Sequence, residues 1–415
     1  MNFNEAINFL NSLAVFGIKP GIDRIKYAAR ILGNPQNSYK TLHIAGTKGK
    51  GSTTTFISSI LKEANFKVGT YTSPYVFVPN ERIQFNLENI SDTDFACLIN
   101  EIKNLNNMLQ KSEHNSLTEF EAKTLAAFLY FQKKEVDYAV IETGMGGRFD
   151  ATNIINPEIS IITTIDFDHM EYLGNSINEI AYEKAGIIKD NTICITGTFG
   201  EAYNTIKYVA DEKKSKLIRL GEDFNYETYG SNFNFYSKNI FIEDIKPCLK
   251  GSFQHMNASL AIETVLNLKE NISLESIKNG VEKAFLPGRF QKLSSTPYVI
   301  IDGAHNAFSA KALADQLKKL KYERLILIIG MLYNHSCEDF LEIIAPYSNV
   351  IIATKSSSPK AASEKIISTA ARKFLSNVIE TSNIAEAIEK AKDIYNDKDL
   401  ILITGSFYTI GEVKI

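Results

Sequence analysis

Thr41-Leu-His-Ile-Ala45 runs directly into Gly46-Thr-Lys-Gly-Lys-Gly-Ser52, and these twelve residues decide the fold. The first five are apolar enough for a buried strand. Ser52–Glu63 follows with Phe56, Ile60 and Leu61 at helical spacing, and Lys67–Thr72 reads as a second strand. Strand, glycine loop, helix, strand is a βαβ unit, which demands a parallel sheet. The glycines at 46, 49 and 51 let the backbone curl so that successive N–H groups face an anion. The helix N-terminus adds partial positive charge. Lys50 would reach the terminal phosphates of a nucleotide, and the Ser52 hydroxyl would meet Mg²⁺. The match to G-x-x-x-x-G-K-[ST] is imperfect. Two residues separate Gly46 from Gly49, and Gly51 falls between Lys50 and Ser52. Glycines alone would also suit a plain strand-to-helix turn. The lysine and serine behind a strand favour phosphate binding.

Outward from this unit the alternation continues. Helical spacing predicts helices over 3–15, 25–32, 120–131, 177–187 and 255–268. Short apolar runs predict strands at 138–141, 159–164 and 192–196, and 224–245 alternates Tyr and Phe with polar residues, as an antiparallel excursion would. Gly17 to Gly21, with Pro20 inside, breaks the chain after the first helix. Leu286-Pro-Gly-Arg-Phe-Gln291 is a second strong break. Strands at 298–301, 325–329, 350–353 and 400–404 follow, with helices at 307–320, 338–345, 362–375 and 384–395. The expectation is an α/β chain of two domains. Residues 1–294 form a P-loop NTPase-like, mixed but mostly parallel sheet with helices on both faces. Residues 295–415 form a smaller Rossmann-like α/β domain.

Composition excludes several classes. A net charge of −3, with no Lys/Arg stripe interleaved with aromatics, argues against nucleic acid. No apolar run approaches the roughly 20 residues of a bilayer span. Met1-Asn-Phe-Asn-Glu5 lacks a basic, then apolar, leader, so a cytoplasmic protein is expected. Cys97, Cys194, Cys248 and Cys337 are scattered and read as plain thiols.

In a parallel sheet, ligands gather at the carboxyl ends of the strands. Glu142 ends the strand 138–141. Asp166, Asp168 and His169 follow 159–164, and Asp302-Gly-Ala-His305-Asn306 follows 298–301. Each alone would pass as a turn residue or cap, and Lys184 alone as a solvated helix lysine. Together they suggest a site.

The ordered motifs extend this: the loop; Thr72-Ser-Pro74 with Glu81-Arg-Ile83; Leu117-Thr-Glu-Phe-Glu121; Glu142 to Asn153; Asp168-His169; Glu183-Lys-Ala-Gly186; Leu286-Pro-Gly-Arg289; Asp302 to Asn306; and Gly405-Ser406 with Gly411-Glu412. In this order the chain resembles the folylpolyglutamate synthase/dihydrofolate synthase branch of the Mur ligase superfamily, nearly end to end. The resemblance implies an ATP-dependent amide ligase. A carboxylate on dihydropteroate or a folate becomes an acyl phosphate, and the amino group of L-glutamate displaces phosphate. It implies Mg²⁺ at two sites, held by Ser73, Glu142, His169, Lys184 and Ser52, with Lys184 carbamylated by CO₂, and it leaves room for K⁺. Catalysis would rest on Lys184, His169, Glu142 and Lys50. ATP would meet Gly46, Thr47, Lys48, Gly49, Lys50, Gly51, Ser52, Asn257, Arg289, Asp302 and His305. The pterin side would use Gly21, Ile22, Asp23, Arg24, Thr118, Glu119, Phe120, Glu121, Phe149, Asp150 and Ala151. The first domain would carry the ATP and pterin sites, and the second would be the glutamate-ligase domain of a monomer whose partners are small molecules.

Some positions depart from the family pattern. Lys48 stands for the usual Asn, Tyr75 for a His, Phe253 for a His, Ala307 for a Pro, and Asn334-His-Ser336 for Asp-Lys-Asp. None removes a proposed metal or carbamate position. Competing readings are the same chemistry on another carboxylate and a catalytically silent ATP-binding module. A cell-wall Mur ligase would need a UDP-binding domain ahead of the loop, where 45 residues stand.

Overall fold

The computed structural model of the chain describes all residues except 15, 16, 18, 20, 112–114, 239 and 415. The end of the first expected helix, at 15, and Pro20 of the break after it lie outside the described residues. The chain divides into two compact units.

The first unit comprises Met1–Pro74, Asn80–Cys248 and Phe253–Phe285. Its main sheet contains β1 (Lys40–Ala45), β2 (Val68–Tyr71), β3 (Ile83–Phe85), β4 (Glu88–Asn89), β5 (Tyr138–Glu142), β6 (Ile159–Ile162), β7 (Ile193–Thr196) and β8 (Lys216–Arg219). Their order is β4-β3-β2-β5-β1-β6-β7-β8, parallel except that β3 pairs antiparallel with both β2 and β4. Strand order reverses around β1, which lies between β5 and β6. That reversal opens a crevice at the carboxyl ends of the strands. β9 (Phe224–Tyr229), β10 (Asn232–Ser237) and β11 (Ile240–Ile245) form a separate antiparallel sheet, as the alternation at 224–245 requires.

Burial explains the helices. Lys50–Glu63 is buried from Ser52 to Leu61, so it has no polar face to show solvent. Small Ser and Thr side chains suit that confinement, and Thr55 returns its hydroxyl to the Gly51 carbonyl at 2.8 Å. Helices Phe253–Leu266 and Leu274–Lys283 pack on it, the second with Gly280 against the Ile60 backbone. A large apolar cluster joins helices Phe3–Leu13, Asp23–Ile31, Asp92–Leu109 and Glu119–Lys133 to Tyr71, Ala139 and Ile141. The sequence reading assigns no element to 92–109. Its signals are nevertheless present: Ser91 accepts from the Asp94 N–H as N-cap, and Phe95, Ile99, Ile102 and Leu105 are buried at helical spacing.

The second unit comprises Tyr75–Pro79, Leu249–Ser252 and Leu286–Ile415. Its sheet runs β12-β13-β17-β14-β15-β16, from β12 (Gln291–Ser295), β13 (Tyr298–Ile301), β14 (Leu325–Ile329), β15 (Val350–Ala353), β16 (Val378–Glu380) and β17 (Leu400–Thr404). All pairs are parallel except β12 with β13. The units part at Phe285/Leu286 rather than at 294/295, because β12 pairs with β13 and belongs to the second sheet. Among the described residues no helix is long and apolar enough to cross a membrane.

Candidate active site

The glycine loop leaves β1 and enters helix Lys50–Glu63 with Gly46 at φ +150° and Gly49 at φ +86°. Both lie where a Cβ is disfavoured. Space is also closed: a Cβ on Gly46 would strike the Thr163 hydroxyl, and one on Gly49 would strike the Asn257 amide oxygen. The segment after β6 braces the loop. Thr47 N–H donates to the Thr164 carbonyl at 2.6 Å, Lys48 N–H to the Thr164 hydroxyl at 3.1 Å, and the Thr163 hydroxyl to the Lys48 carbonyl at 2.6 Å. Lys50 Nζ folds back onto the Gly46 carbonyl at 3.0 Å.

Strand register sets the remaining groups on the same edge. Ile44 of β1 aligns with Glu142 of β5, and Tyr71 of β2 with Ile141. Ser73 therefore emerges beside Glu142, and its N–H donates to Glu142 Oε2 at 3.0 Å. Glu142 is buried. Asp166, Asp168 and His169 follow β6 on the other side of β1. His169 has φ +48° and a half-exposed ring, with Nε2 at 3.8 Å from Asp168 Oδ1.

Lys184 lies in the last turn of helix Ile177–Ala185 and is buried, unlike the solvated helix lysine it would be taken for alone. Its Nζ donates to the Gly46 carbonyl at 2.9 Å. Burial, then the charges of Lys50 and Lys48 against those of Asp168 and Asp150, lower its pKa to about 7. Gly147 and Gly186 let the loop after β5 close on this helix end: Arg148 N–H donates to the Glu183 carbonyl at 2.8 Å.

The three segments expected on the pterin side lie in the same unit. Arg24 Nε bridges both Glu121 oxygens at 2.8 and 3.0 Å. Glu121 also closes a capping box with Thr118 at the start of helix Glu119–Lys133. These residues therefore hold each other, which sequence alone does not reveal. Phe120 packs on Gly144 and lies 6.1 Å from the Tyr71 ring. Asp150 is buried, and its carboxylate accepts the N–H groups of Met145 and Thr152 at 2.9 and 3.0 Å. Ala151 is buried beside it and Phe149 is exposed. Gly21 and Ile22 precede the helix, and Asp23 lines a shallow polar cavity of about 480 Å³ with Lys26, Tyr27 and Arg30. Lys123 was not named from the sequence, and Arg82 only within the motif Glu81-Arg-Ile83. Lys123 is buried, pairs with Glu119, and has its pKa lowered by burial and then by Arg82. Its position one turn after Glu119 was the available signal.

In the second unit, Asp302 Oδ2 accepts the Phe290 N–H and Oδ1 the Ala304 N–H, both at 2.8 Å. This fixes the strand-end turn and brings Asp302 to Arg289, whose charge opposes a rise in the Asp302 pKa caused by burial. The Arg289 guanidinium sits over the Phe407 ring at 4.6 Å. The His305 ring lies 4.7 Å from that of His335. His335 belongs to the divergent Asn334-His-Ser336 triplet.

Among the described residues, no three His, Cys, Asp or Glu side chains cluster as a metal site. The donors present still fit Mg²⁺. Glu142 offers a buried hard-oxygen donor, held by the Ser73 N–H, and Mg²⁺ takes few protein oxygens, filling its shell with water and phosphate.

Comparison with known proteins bears on this arrangement. Residues 44–265 match the Mur ligase middle domain and residues 288–407 the Mur ligase, glutamate ligase domain. The dihydrofolate synthase/folylpolyglutamate synthase of Bacillus subtilis is 36% identical over 99% of this chain and 98% of its own. The Escherichia coli FolC structure in complex with DHPP and ADP superposes with a TM-score of 0.89 at 30% identity, over 99% of this chain and 96% of its own. The Mycobacterium tuberculosis folylpolyglutamate synthase complexed with ADP gives 0.90 at 29% identity, over 99% and 96%.

Proposed function

We propose the following reaction for this chain, which belongs to the dihydrofolate synthase/folylpolyglutamate synthase family of Mur ligases: ATP phosphorylates the carboxylate of dihydropteroate or the γ-carboxylate of a folate, and L-glutamate then captures the acyl phosphate. The chain is an ATP-dependent ligase forming a carbon–nitrogen bond. The observation that carries the reading is the junction at Gly46. A phosphate loop, a buried Lys184 and a buried Glu142 meet on one sheet edge, with the Asp150 loop against them.

Each group has a role that its chemistry suits. Residues Gly46 to Ser52, with Asn257, would hold the phosphates, and Arg289, Asp302 and His305 are the positions for which the family resemblance implies ATP contacts. Gly21 to Arg24, Thr118 to Glu121 and Phe149 to Ala151 form the acceptor side. Ser73, Glu142, His169, Ser52 and a carbamylated Lys184 would hold Mg²⁺, which supplies charge neutralisation at the phosphoryl oxygens. Lys184 suits carbamylation because an amine with a pKa of about 7 offers a large neutral fraction to CO₂. Phosphoryl transfer needs positioning and charge neutralisation more than a side-chain nucleophile. Residues 1–285 would carry ATP and acceptor, and residues 286–415 the glutamate-ligase part.

The test is phosphate release by purified protein with ATP, Mg²⁺ and L-glutamate. Dihydropteroate and tetrahydrofolate monoglutamate are offered in parallel. Release dependent on both glutamate and a pterin is expected, and turnover with both acceptors establishes bifunctionality. No glutamate-dependent turnover with any pterin would falsify the reading.

A further inference from the structure

We propose that His43 is a positioning residue for the acceptor pocket, holding Thr152 and through it Asp150 so that the loop after β5 keeps its binding shape. The inference rests on the reading of that loop as the pterin side.

His43 lies in the middle of β1, three residues before the phosphate loop, and is wholly buried. Its neighbours Leu42 and Ile44 are apolar, and an imidazole there carries a desolvation cost that an aliphatic side chain would avoid. The hydrogen bonds explain its presence. His43 Nε2 lies 2.8 Å from the Thr152 hydroxyl. That hydroxyl donates its single proton to Asp150 Oδ1 at 2.5 Å. Thr152 Oγ1 can then only accept from His43, so Nε2 carries the hydrogen and Nδ1 is bare. Among the described residues Nδ1 is buried and has no hydrogen-bond partner. Burial and then Lys189 push the imidazole pKa down, which keeps the ring neutral.

The far end of this chain is the candidate acceptor segment. Asp150, fixed by Thr152, closes the loop by accepting the Met145 N–H. Its charge acts on both Tyr71 and Lys184. The strand that ends in the phosphate loop thus also sets the acceptor loop. A purely structural core histidine would need only some partner. Here the partner is a hydroxyl already committed to a site carboxylate.

Kinetics of three variants test this. His43→Leu removes the donor and Thr152→Val the relay, while His43→Gln places an amide N–H near the position of Nε2. His43→Leu and Thr152→Val should each raise the pterin KM about tenfold and leave kcat and the ATP KM within about twofold. His43→Gln should restore most of the loss. Backbone ¹⁵N and imidazole NMR of the wild-type protein should show the Nε2–H tautomer, and Met145 and Thr152 amides should exchange faster in Thr152→Val. Unchanged pterin KM in both variants, an equal rise in ATP KM, or an Nδ1–H tautomer would overturn the proposal. Wild-type protein inactive on every pterin would instead sink the acceptor reading. The tautomer and amide exchange would then still decide whether His43 holds this loop.

Discussion

Lys184 Nζ donates a 2.9 Å hydrogen bond to the carbonyl of Gly46, across 138 residues of chain. The bond places a buried amine on the first residue of the candidate phosphate loop. It also stations that amine close enough to Lys50 and Lys48 for their charges to lower its pKa.

If the Lys184 amine is converted to a carbamate, activity depends on CO₂. Lys184→Ala should lower glutamate-dependent phosphate release at least about a hundredfold. Acetate should restore part of it by returning an anionic oxygen. Rates identical in CO₂-stripped and bicarbonate-supplemented buffer, with intact mass showing bare lysine throughout, would rule the carbamate out.

The unmodified amine has a stability signature of its own. Its folded-state pKa is lowered to about 7 from 10.5. Between those values the unfolded chain binds a proton that the folded chain does not. Stability therefore rises with pH across this window, and the cost of burying the ammonium is full only below it. In CO₂-free buffer, urea unfolding of the wild type should show a gain from pH 7.5 to 9 that Lys184→Met lacks. Parallel pH dependences would show that the amine is not desolvated as described.

Gly49 meets two obstacles to substitution. A φ of +86° costs a non-glycine residue ~1–2 kcal/mol, and a Cβ would also strike Asn257. Gly49→Ala should weaken ADP binding by about tenfold or more. Adding Asn257→Ala relieves only the clash, so incomplete recovery is expected. Calorimetric titration of both variants separates the two contributions, and an unaltered Kd for Gly49→Ala would show that the loop adapts freely.

Lys48 adds a charge near Lys184. Lys48→Asn should raise the pKa of Lys184 and shift the pH midpoint of CO₂-dependent activation upward. It should also change nucleotide affinity. An unmoved midpoint together with an unchanged nucleotide Kd would mean that the Lys48 charge is spent on solvent.

Arg24 and Glu121 form a pair in which the carboxylate is 3% exposed and the guanidinium 17%. Removing Arg24 leaves a buried charge still held by the Thr118 N–H and hydroxyl. The loss should therefore stay below that of a bare buried ion, at about 2 kcal/mol. Arg24→Met, Glu121→Gln and the double variant, compared by chemical denaturation, should show coupling. Strict additivity would deny the pair any net role in stability.

Much of this fold was legible because its signals are local. β13, β14, β15 and β17 coincide with their apolar runs, since a strand buried on both faces must be apolar throughout and ends where polarity returns. The loop Gly46 to Ser52 was legible because positive φ and a strand-to-helix turn demand glycine at particular places. β3 and β4 were not, because strands of three and two residues carry too little pattern. The sequence by itself determined the βαβ unit, the candidate phosphate loop and the two-domain α/β organisation. Only tertiary structure decided that β1 lies between β5 and β6, and hence that Glu142, Ser73 and the loop share an edge. It alone buried Lys184 and joined Arg24 to Glu121 and His43 to Thr152. Periodicity reports which face of an element is buried, whereas the partner that buries it is chosen by long-range packing, which no local window contains.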